Sequence, residues 1–382
     1  MSQLFDIEKI IALRHELHQD PEISNHEVQT SQKIEQFVAS TMPSQTIPLA
    51  SNGKAFVFDS GKPGPTIMFR AELDALPIQE VSNRPHRSQR KGVSHSCGHD
   101  GHMAILAGLG QKIAAAPPAA GRAILLFQPA EEVEQGARDV VNDPAFQALE
   151  PDFIFGLHNI PGQPVNTLIL NRETFAAASQ AMIIKLQGRT AHSAEPENGI
   201  SPAMALASLI RNLNKLNQSK SLFSDFTLLT LGHVQLGEPT FGTSPGNAII
   251  YLTLRAFRDE DMHKLQSSIE KLITNTARRH RLFFKIEFTE VFPALINQDE
   301  AVQIAEQAAS ELKLPILYRT EPFKWSEDFS YFAQKYPACF FGLGAGIDQP
   351  PLHHPNFDFP DEILETGINL FFSIYKKLLN PS

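Results

Sequence analysis

Ile7, Ile10, Ile11, Leu13 and Leu17 recur at helical spacing, and the pattern stops before Pro21, which predicts an opening amphipathic helix. Short apolar runs follow: Thr66 to Arg70 (TIMFR), Arg122 to Phe127 (RAILLF), Asp152 to Leu157 (DFIFGL) and Ala338 to Leu343 (ACFFGL). Each has the length and continuity of a buried strand, and helix-like stretches such as Met103 to Ala115 separate them. That alternation predicts an α/β domain, a central sheet flanked by helices. The middle of the chain has another rhythm: strand (Gln180 to Leu186), helix (Ser201 to Leu216), strand (Thr227 to Leu236), strand (Ala248 to Phe257), helix (Glu260 to Arg278), strand (Leu282 to Phe288). This is the split βαβ order of a ferredoxin-like α+β module. The expected organisation is a main domain in two parts, residues 1–177 and 291–382, with an inserted domain at residues 178–290. No internal repeat or low-complexity segment interrupts it.

Composition narrows the class. A chain of 382 residues, 42% hydrophobic and 20% charged, is long enough for more than one domain and too balanced for disorder. The start, Met1 to Lys9, carries no basic segment followed by an apolar stretch, and no later run is long enough to span a bilayer. A cytoplasmic protein with no membrane partner is expected. Cys97 and Cys339 are the only cysteines, too few for a disulfide framework, so the expected compartment is reducing. A net charge of -9 gives no general pull toward nucleic acid. The one basic cluster, Arg84 to Lys91, reads as a solvated loop.

Ligands of open α/β sheets bind beyond the carboxyl ends of the strands. The residues there are chemically unusual. Glu72 and Asp74 follow TIMFR; Glu131 and Glu132 follow RAILLF; His158 and Asn159 follow DFIFGL; His353 and His354 come soon after ACFFGL. A loop before the helix at Met103 adds Cys97-Gly98-His99-Asp100-Gly101-His102. Thiol, imidazole and carboxylate thus collect at one mouth of one sheet, as in a metal site assembled on a scaffold. Thiolate and imidazole favour zinc and its neighbours, while carboxylates also accept manganese or cobalt.

Plainer readings compete at each position. A lone buried cysteine is more often a small core hydrophobe, and Cys339 keeps that reading. For Cys97 the neighbouring histidines favour a ligand. Glu131 and Glu132 have an alternative as acids at a helix N-terminus, but their place directly after a strand and Gln-Pro-Ala favours chemistry. His15, His18, His26, His86 and His95 are expected to be surface or hydrogen-bonded residues. FGLGAG (341–346) is expected to be a turn, since no helix start clearly follows it.

The blocks RHELHQDPE (14–22), RAELDALP (70–77), SCGHDGHMA (96–104), QPAEE (128–132), GLHN (156–159), GRTAHSAEP (188–196), SEDFSYF (326–332) and PPLHHPNFDF (350–359) resemble the hippurate hydrolase family of aminoacylase-type dinuclear metallopeptidases. The resemblance spans nearly the whole chain in the family's order. It implies two divalent metal ions per subunit (Zn, Mn, Co or Ni), with Cys97 as bridging ligand and His99, Glu132, His158 and His353 as the others. It also implies that Glu131 is the general base toward a metal-activated water, and that the inserted domain is a lid mediating a homodimer. His192 would then serve the partner's site as an oxyanion stabiliser. The implied reaction is cleavage of the amide bond of an N-acyl amino acid or similar small N-acyl amine.

Two positions depart from the family pattern. Where relatives carry Asn-Val-Ile-Pro in the lid, Gly242-Thr243-Ser244 precede Pro245, so an Asn that helps hold substrate there is missing. Trp325 stands where a small residue is common, and its ring would narrow or line the acyl pocket. Two other functions compete. One is a related metallo-exopeptidase, a carboxypeptidase or dipeptidase; the other is a non-catalytic metal-holding dimer, which would not need Glu131 beside a full ligand set. A structural zinc alone is disfavoured by the lack of any Cys-x-x-Cys.

Overall fold

The computed structural model describes residues 5–218 and 220–380. Met1 to Leu4, where the absence of an export leader was partly read, lie outside them. The chain divides into two compact units. The first comprises the chain up to Phe175, Ile296–Glu321 and the chain from Glu327; the second comprises Ala176–Leu295 and Pro322–Ser326. In chain order the principal strands are β1 (Gln45–Pro48), β2 (Lys54–Asp59), β3 (Thr66–Glu72), β4 (Arg122–Gln128), β5 (Phe153–Ile160), β6 (Leu168–Leu170), β7 (Ala178–Gln187), β8 (Thr227–Leu236), β9 (Asn247–Ala256), β10 (Phe283–Phe292), β11 (Ile316–Tyr318) and β12 (Ala338–Gly344). The helices used below are α1 (Ile7–Gln19), α2 (His99–Ala115), α3 (Ala203–Gln218), α4 (Asp259–His280) and α5 (Leu364–Leu379).

The first unit holds an eight-stranded sheet in the order β1-β2-β4-β3-β5-β12-β6-β11. Its centre, β4, β3, β5 and β12, is parallel. Every residue of β3 and of β12 is buried, as expected of parallel strands covered on both faces. Register sets their carboxyl ends level: Glu72 pairs with Gln128, Arg70 with Gly156, and His158 with Gly342. The candidate residues therefore emerge from one edge of the parallel core.

Helices α1, α2 and α5 share a core with the sheet through Ile10, Leu13, Ile105, Leu109, Ile368 and Phe371. Helices α2 and α5 pack closely at two glycines: an added Cβ would lie 2.5 Å from Ile368 Cδ1 at Gly108 and 2.5 Å from Ile105 Cδ1 at Gly367. Truncating a fully buried leucine such as Leu109 to alanine would cost about 2–5 kcal/mol. The α1 start is capped by Asp6, whose carboxylate accepts from the Glu8 and Lys9 amides.

Two local expectations differ from the structure. The third-strand-to-helix loop ends sooner than the apolar pattern indicates, because α2 begins at His99 rather than at Met103. Gly98 precedes it with φ 97°, and the polar first turn, His99 to His102, is buried. Hydrophobic periodicity cannot register a turn whose inward face is imidazole. FGLGAG is not a turn throughout: Phe341 to Gly344 continue β12, and only Gly346, φ 118°, turns.

The second unit is a four-stranded antiparallel sheet, β8-β9-β7-β10, with α3 and α4 packed against it. This strand order is the ferredoxin-like one. Along β9 the even positions Ala248, Ile250, Leu252, Leu254 and Ala256 are buried, with odd positions less so, the alternation of a sheet covered on one face. Pro322–Ser326 returns to this unit late in the chain: Ala177 N–H donates to Phe323 O and Trp325 O, and Arg255 donates to Lys324 O and Ser326 Oγ. No described helix is long and apolar enough to cross a membrane.

Candidate metal centre

The first unit brings Cys97, His99, Glu131, Glu132, His158 and His353 together. Three overlapping groups, Cys97/His99/His158, Cys97/Glu132/His353 and His99/Glu131/Glu132, each have potential ligand atoms within 4.8 Å of one another. Cys97 Sγ lies 3.4 Å from His158 Nε2. His99 Nε2 lies 3.9 Å from both Glu131 Oε2 and Glu132 Oε1, and His353 Nε2 lies 3.6 Å from Glu132 Oε2.

The backbone aims these groups. His99 Nδ1–H donates to Asp74 O at 2.8 Å, which leaves Nε2 facing the cluster. His158 Nδ1–H donates to Asn159 O at 2.9 Å, leaving Nε2 toward Cys97. Asp74 is buried between two supports, accepting from Ser24 Oγ at 2.6 Å and from the Glu132 amide at 2.9 Å. Glu131 and Glu132 do not open a helix; they lie in a turn after β4 that follows Ala130 at φ 55°. At the adjacent histidines the loop is a turn rather than extended. His353 has φ 64° and donates its amide to Ser96 O, whereas the His354 ring accepts the Asn356 amide at 3.1 Å.

These donors fit divalent cations. His99 Nε2 and Glu132 Oε1 are buried without a hydrogen-bond partner, a costly condition unless a cation satisfies them. Burial first, then the neighbouring Glu327 and Glu132 charges, pushes the Glu131 carboxyl well above its usual range. Burial lifts Glu132 to about 7, with Asp74 adding and His99 opposing. Burial and the two glutamates hold the Cys97 thiol well above its ordinary value. Burial depresses His99, but Asp74, Glu72 and Glu132 outweigh it and bring the ring to about 10. The cluster thus gathers protons where positive charge is wanted, and a dication is the natural replacement.

Several residues around the site lie in the blocks quoted above without a role read from the sequence. Arg70, fully buried, donates through Nε to Gln128 Oε1 at 2.8 Å and through Nη2 to Glu327 Oε1 at 2.9 Å and Asp328 Oδ1 at 2.6 Å; Nη1 pairs with Glu72. Behind α2, Arg14 and His18 of α1 pair with Asp100 at 3.1 and 2.9 Å. His95, expected on the surface or hydrogen-bonded, is buried with neither ring nitrogen bonded, and burial drives its pKa down to about 3.

His192 belongs to the second unit, on Ala191–His192, which pairs with Thr243–Ser244. Its Nδ1 accepts the Ala194 amide at 3.1 Å, so the neutral ring carries its proton on Nε2. Gly242 has open space where a side chain would begin, and its carbonyl accepts the Ser193 amide. Trp325 stacks on Phe323 with ring centroids 4.7 Å apart.

Residues 68–377 match peptidase family M20/M25/M40. The chain belongs to that family. Among relatives of this M20 member, hippurate hydrolase of Campylobacter jejuni is 29% identical, covering 96% of each chain. N-acetyl-L-cysteine deacetylase of Bacillus subtilis is 30% identical over 98% of this chain and 89% of its own. A solved Bacillus subtilis structure described as a dinuclear metal-binding peptidase of the M20 family superposes with a TM-score of 0.83 at 26% identity, covering 98% of this chain and 99% of that one. The M20 chain described here is a metal-dependent amide hydrolase.

Proposed function

We propose that the protein hydrolyses the amide bond of N-acyl amino acids or similar small N-acyl amines. In this reading Cys97, His99, Glu132, His158 and His353 hold two divalent ions, with Cys97 between them. The observation that carries it is the overlap of three groups drawn from these five residues and Glu131, each with potential ligand atoms within 4.8 Å of one another, where His99 Nε2 and Glu132 Oε1 are buried without a partner and His353 alone is exposed. Bound ions would supply positive charge that polarises the substrate carbonyl and makes a water acidic near neutral pH. Glu131, protonated by burial in the metal-free cluster, would be ionised once bound cations offset the neighbouring negative charge, and would then accept a proton from the attacking water and deliver it to the leaving nitrogen. His192, through Nε2–H, donates to the developing oxyanion in the site of a partner copy. The products are a carboxylic acid and a free amine.

Hippurate and N-acetylcysteine, the substrates named for the relatives, set the starting size of the acyl group and amine. Gly242, with open space where a side chain would begin, offers a substrate no amide where the family resemblance implies an Asn, and Trp325, stacked on Phe323, stands where a small residue is common, so the substrate class is the quantity to measure. A panel of N-acetyl, N-benzoyl and indole-acyl amino acids, run on protein loaded with zinc, manganese, cobalt or nickel, tests the reading. Amine release from at least one class is expected. Turnover of unblocked dipeptides alone would establish the exopeptidase instead, and no metal-dependent turnover with either kind would leave a binding protein.

A further inference from the structure

The α2 first turn presents His99 and His102, three residues apart, on one face. Only His99 faces the candidate ligand cluster directly. His102 is 1% exposed and sits crosswise behind it. Its Nδ1–H donates to Glu72 Oε2 at 2.8 Å, while Nε2 lies 2.6 Å from the Asn159 side-chain oxygen and 3.2 Å from the Asn159 main-chain nitrogen. Asn159 is the residue after His158, and its carbonyl accepts from the His158 ring. Its side chain also closes on the peptide between Cys97 and His99: a Cβ added at Gly98 would lie 2.3 Å from Asn159 Oδ1. The other end of the row is fixed, because Glu72 pairs with Arg70, and Arg70 is held by Gln128, Glu327 and Asp328.

We infer that His102 is a positioning residue for the metal-binding arms, locking Asn159 and through it the His158 ring and the Cys97–His99 turn. The inference rests on the proposed ligand set. Arg70, Glu72, His102 and Asn159 form a continuous buried brace across the ends of β3, β5 and α2. Linked polar groups at low dielectric tolerate little displacement, since each broken link strands a buried charge or amide; Asn159 Nδ2 is already buried without a hydrogen bond, so the Asn159 side chain is held through its oxygen. The brace therefore fixes where His158 Nε2 meets Cys97 Sγ, and the His102 and His158 rings pack edge-on with centroids 4.7 Å apart, which closes one side of the latter. Two other roles are open to a buried histidine here. It could be a ligand itself, since Glu72, His99 and His102 place potential donor atoms within 4.8 Å of one another. It could also be ordinary core packing.

Cobalt-loaded and metal-free full-length protein separate the three. The variants are His102→Leu, His102→Gln, whose amide nitrogen reaches the place of Nε2, and Asn159→Ala, which cuts the same link from the other side. His102→Leu should bind its full complement of Co2+ at saturation but with affinity weakened about 10–100-fold, and with a shifted visible absorption spectrum. His102→Gln should restore most of the affinity and the spectrum. Asn159→Ala should reproduce the weakening, and the double variant His102→Leu/Asn159→Ala should be no weaker than either single one. A lower Co2+ stoichiometry at saturation in His102→Leu would make it a ligand and overturn the inference. Wild-type affinity and spectrum with only a lower unfolding temperature of the metal-free protein, or additive losses in the double variant, would reduce it to packing. His158→Ala serves as reference: if it kept all its Co2+, the ligand set itself would be wrong, a failure visible without any His102 variant.

Discussion

Under the proposed ligand set Glu132 carries opposed demands, burial that favours its neutral form and a metal that would require the carboxylate. Its pKa is pushed up to about 7 by that burial. A carboxyl raised in the folded state stabilises the metal-free fold below the usual carboxylate range and loses that contribution as pH rises through about 7. Metal binding has the opposite slope, because the ion must displace the proton. The gap in unfolding temperature between metal-loaded and metal-free protein should therefore be small near pH 5.5 and widen toward pH 8; a gap constant across that range would show that the ion displaces no proton from Glu132. Its neighbour has the other task. Glu131→Gln should keep its metal and lose most turnover, whereas Glu132→Gln should weaken metal binding, and elemental analysis with an activity assay distinguishes these from a swapped assignment. Cys97→Ser should lose metal and activity together, because a neutral hydroxyl replaces a thiolate poorly between two cations; full metal content in this variant would remove Cys97 from the ligands.

The elements carry these residues with different degrees of visibility in the sequence. Strands β3, β4, β5 and β12 were legible as apolar runs, and so was the clustering of thiol, imidazole and carboxylate at their carboxyl ends. The start of α2 was not, because a buried turn of His99, Asp100 and His102 hides its inward face from a hydrophobicity pattern. Arg70 and Glu72 were present as an alternating charged pair at the end of a buried run. Two opposite charges two residues apart on one face of a parallel strand are themselves a signal, since neither can be buried unpaired. The further partners of Arg70, Glu327 and Asp328, lie far away in sequence, and only the fold joins them to it. At Gly98 the element has no substitute: φ is 97° and a Cβ would strike Asn159. Gly98→Ala should add about 1–3 kcal/mol of backbone strain and displace Cys97 and His99, losing metal while circular dichroism stays near wild type. Unchanged metal affinity would mean that the turn adapts.

At the scale of the whole molecule the main proposal is that two copies share each site. Neither His192→Ala nor Glu131→Gln should be active alone. Mixed under conditions that allow subunit exchange, half the dimers would be heterodimers and half of their sites complete, so activity should return to about a quarter of wild type. No recovery despite exchange shown by mass spectrometry, or a nearly fully active His192→Ala enzyme, would place the oxyanion donor elsewhere. The same architecture bears on how the protein can be rebuilt. Ala176–Leu295 looks like a cassette to be cut out or exchanged for that of a relative, yet Pro322–Ser326 belongs to the same unit and is tied to it through Ala177 and Arg255. A graft that moves only the long segment leaves this short one facing foreign backbone, immediately before Glu327. Exchange of the unit between relatives therefore takes two replaced segments in the gene, and the smaller donor fragment, carrying Trp325, has to travel with the larger.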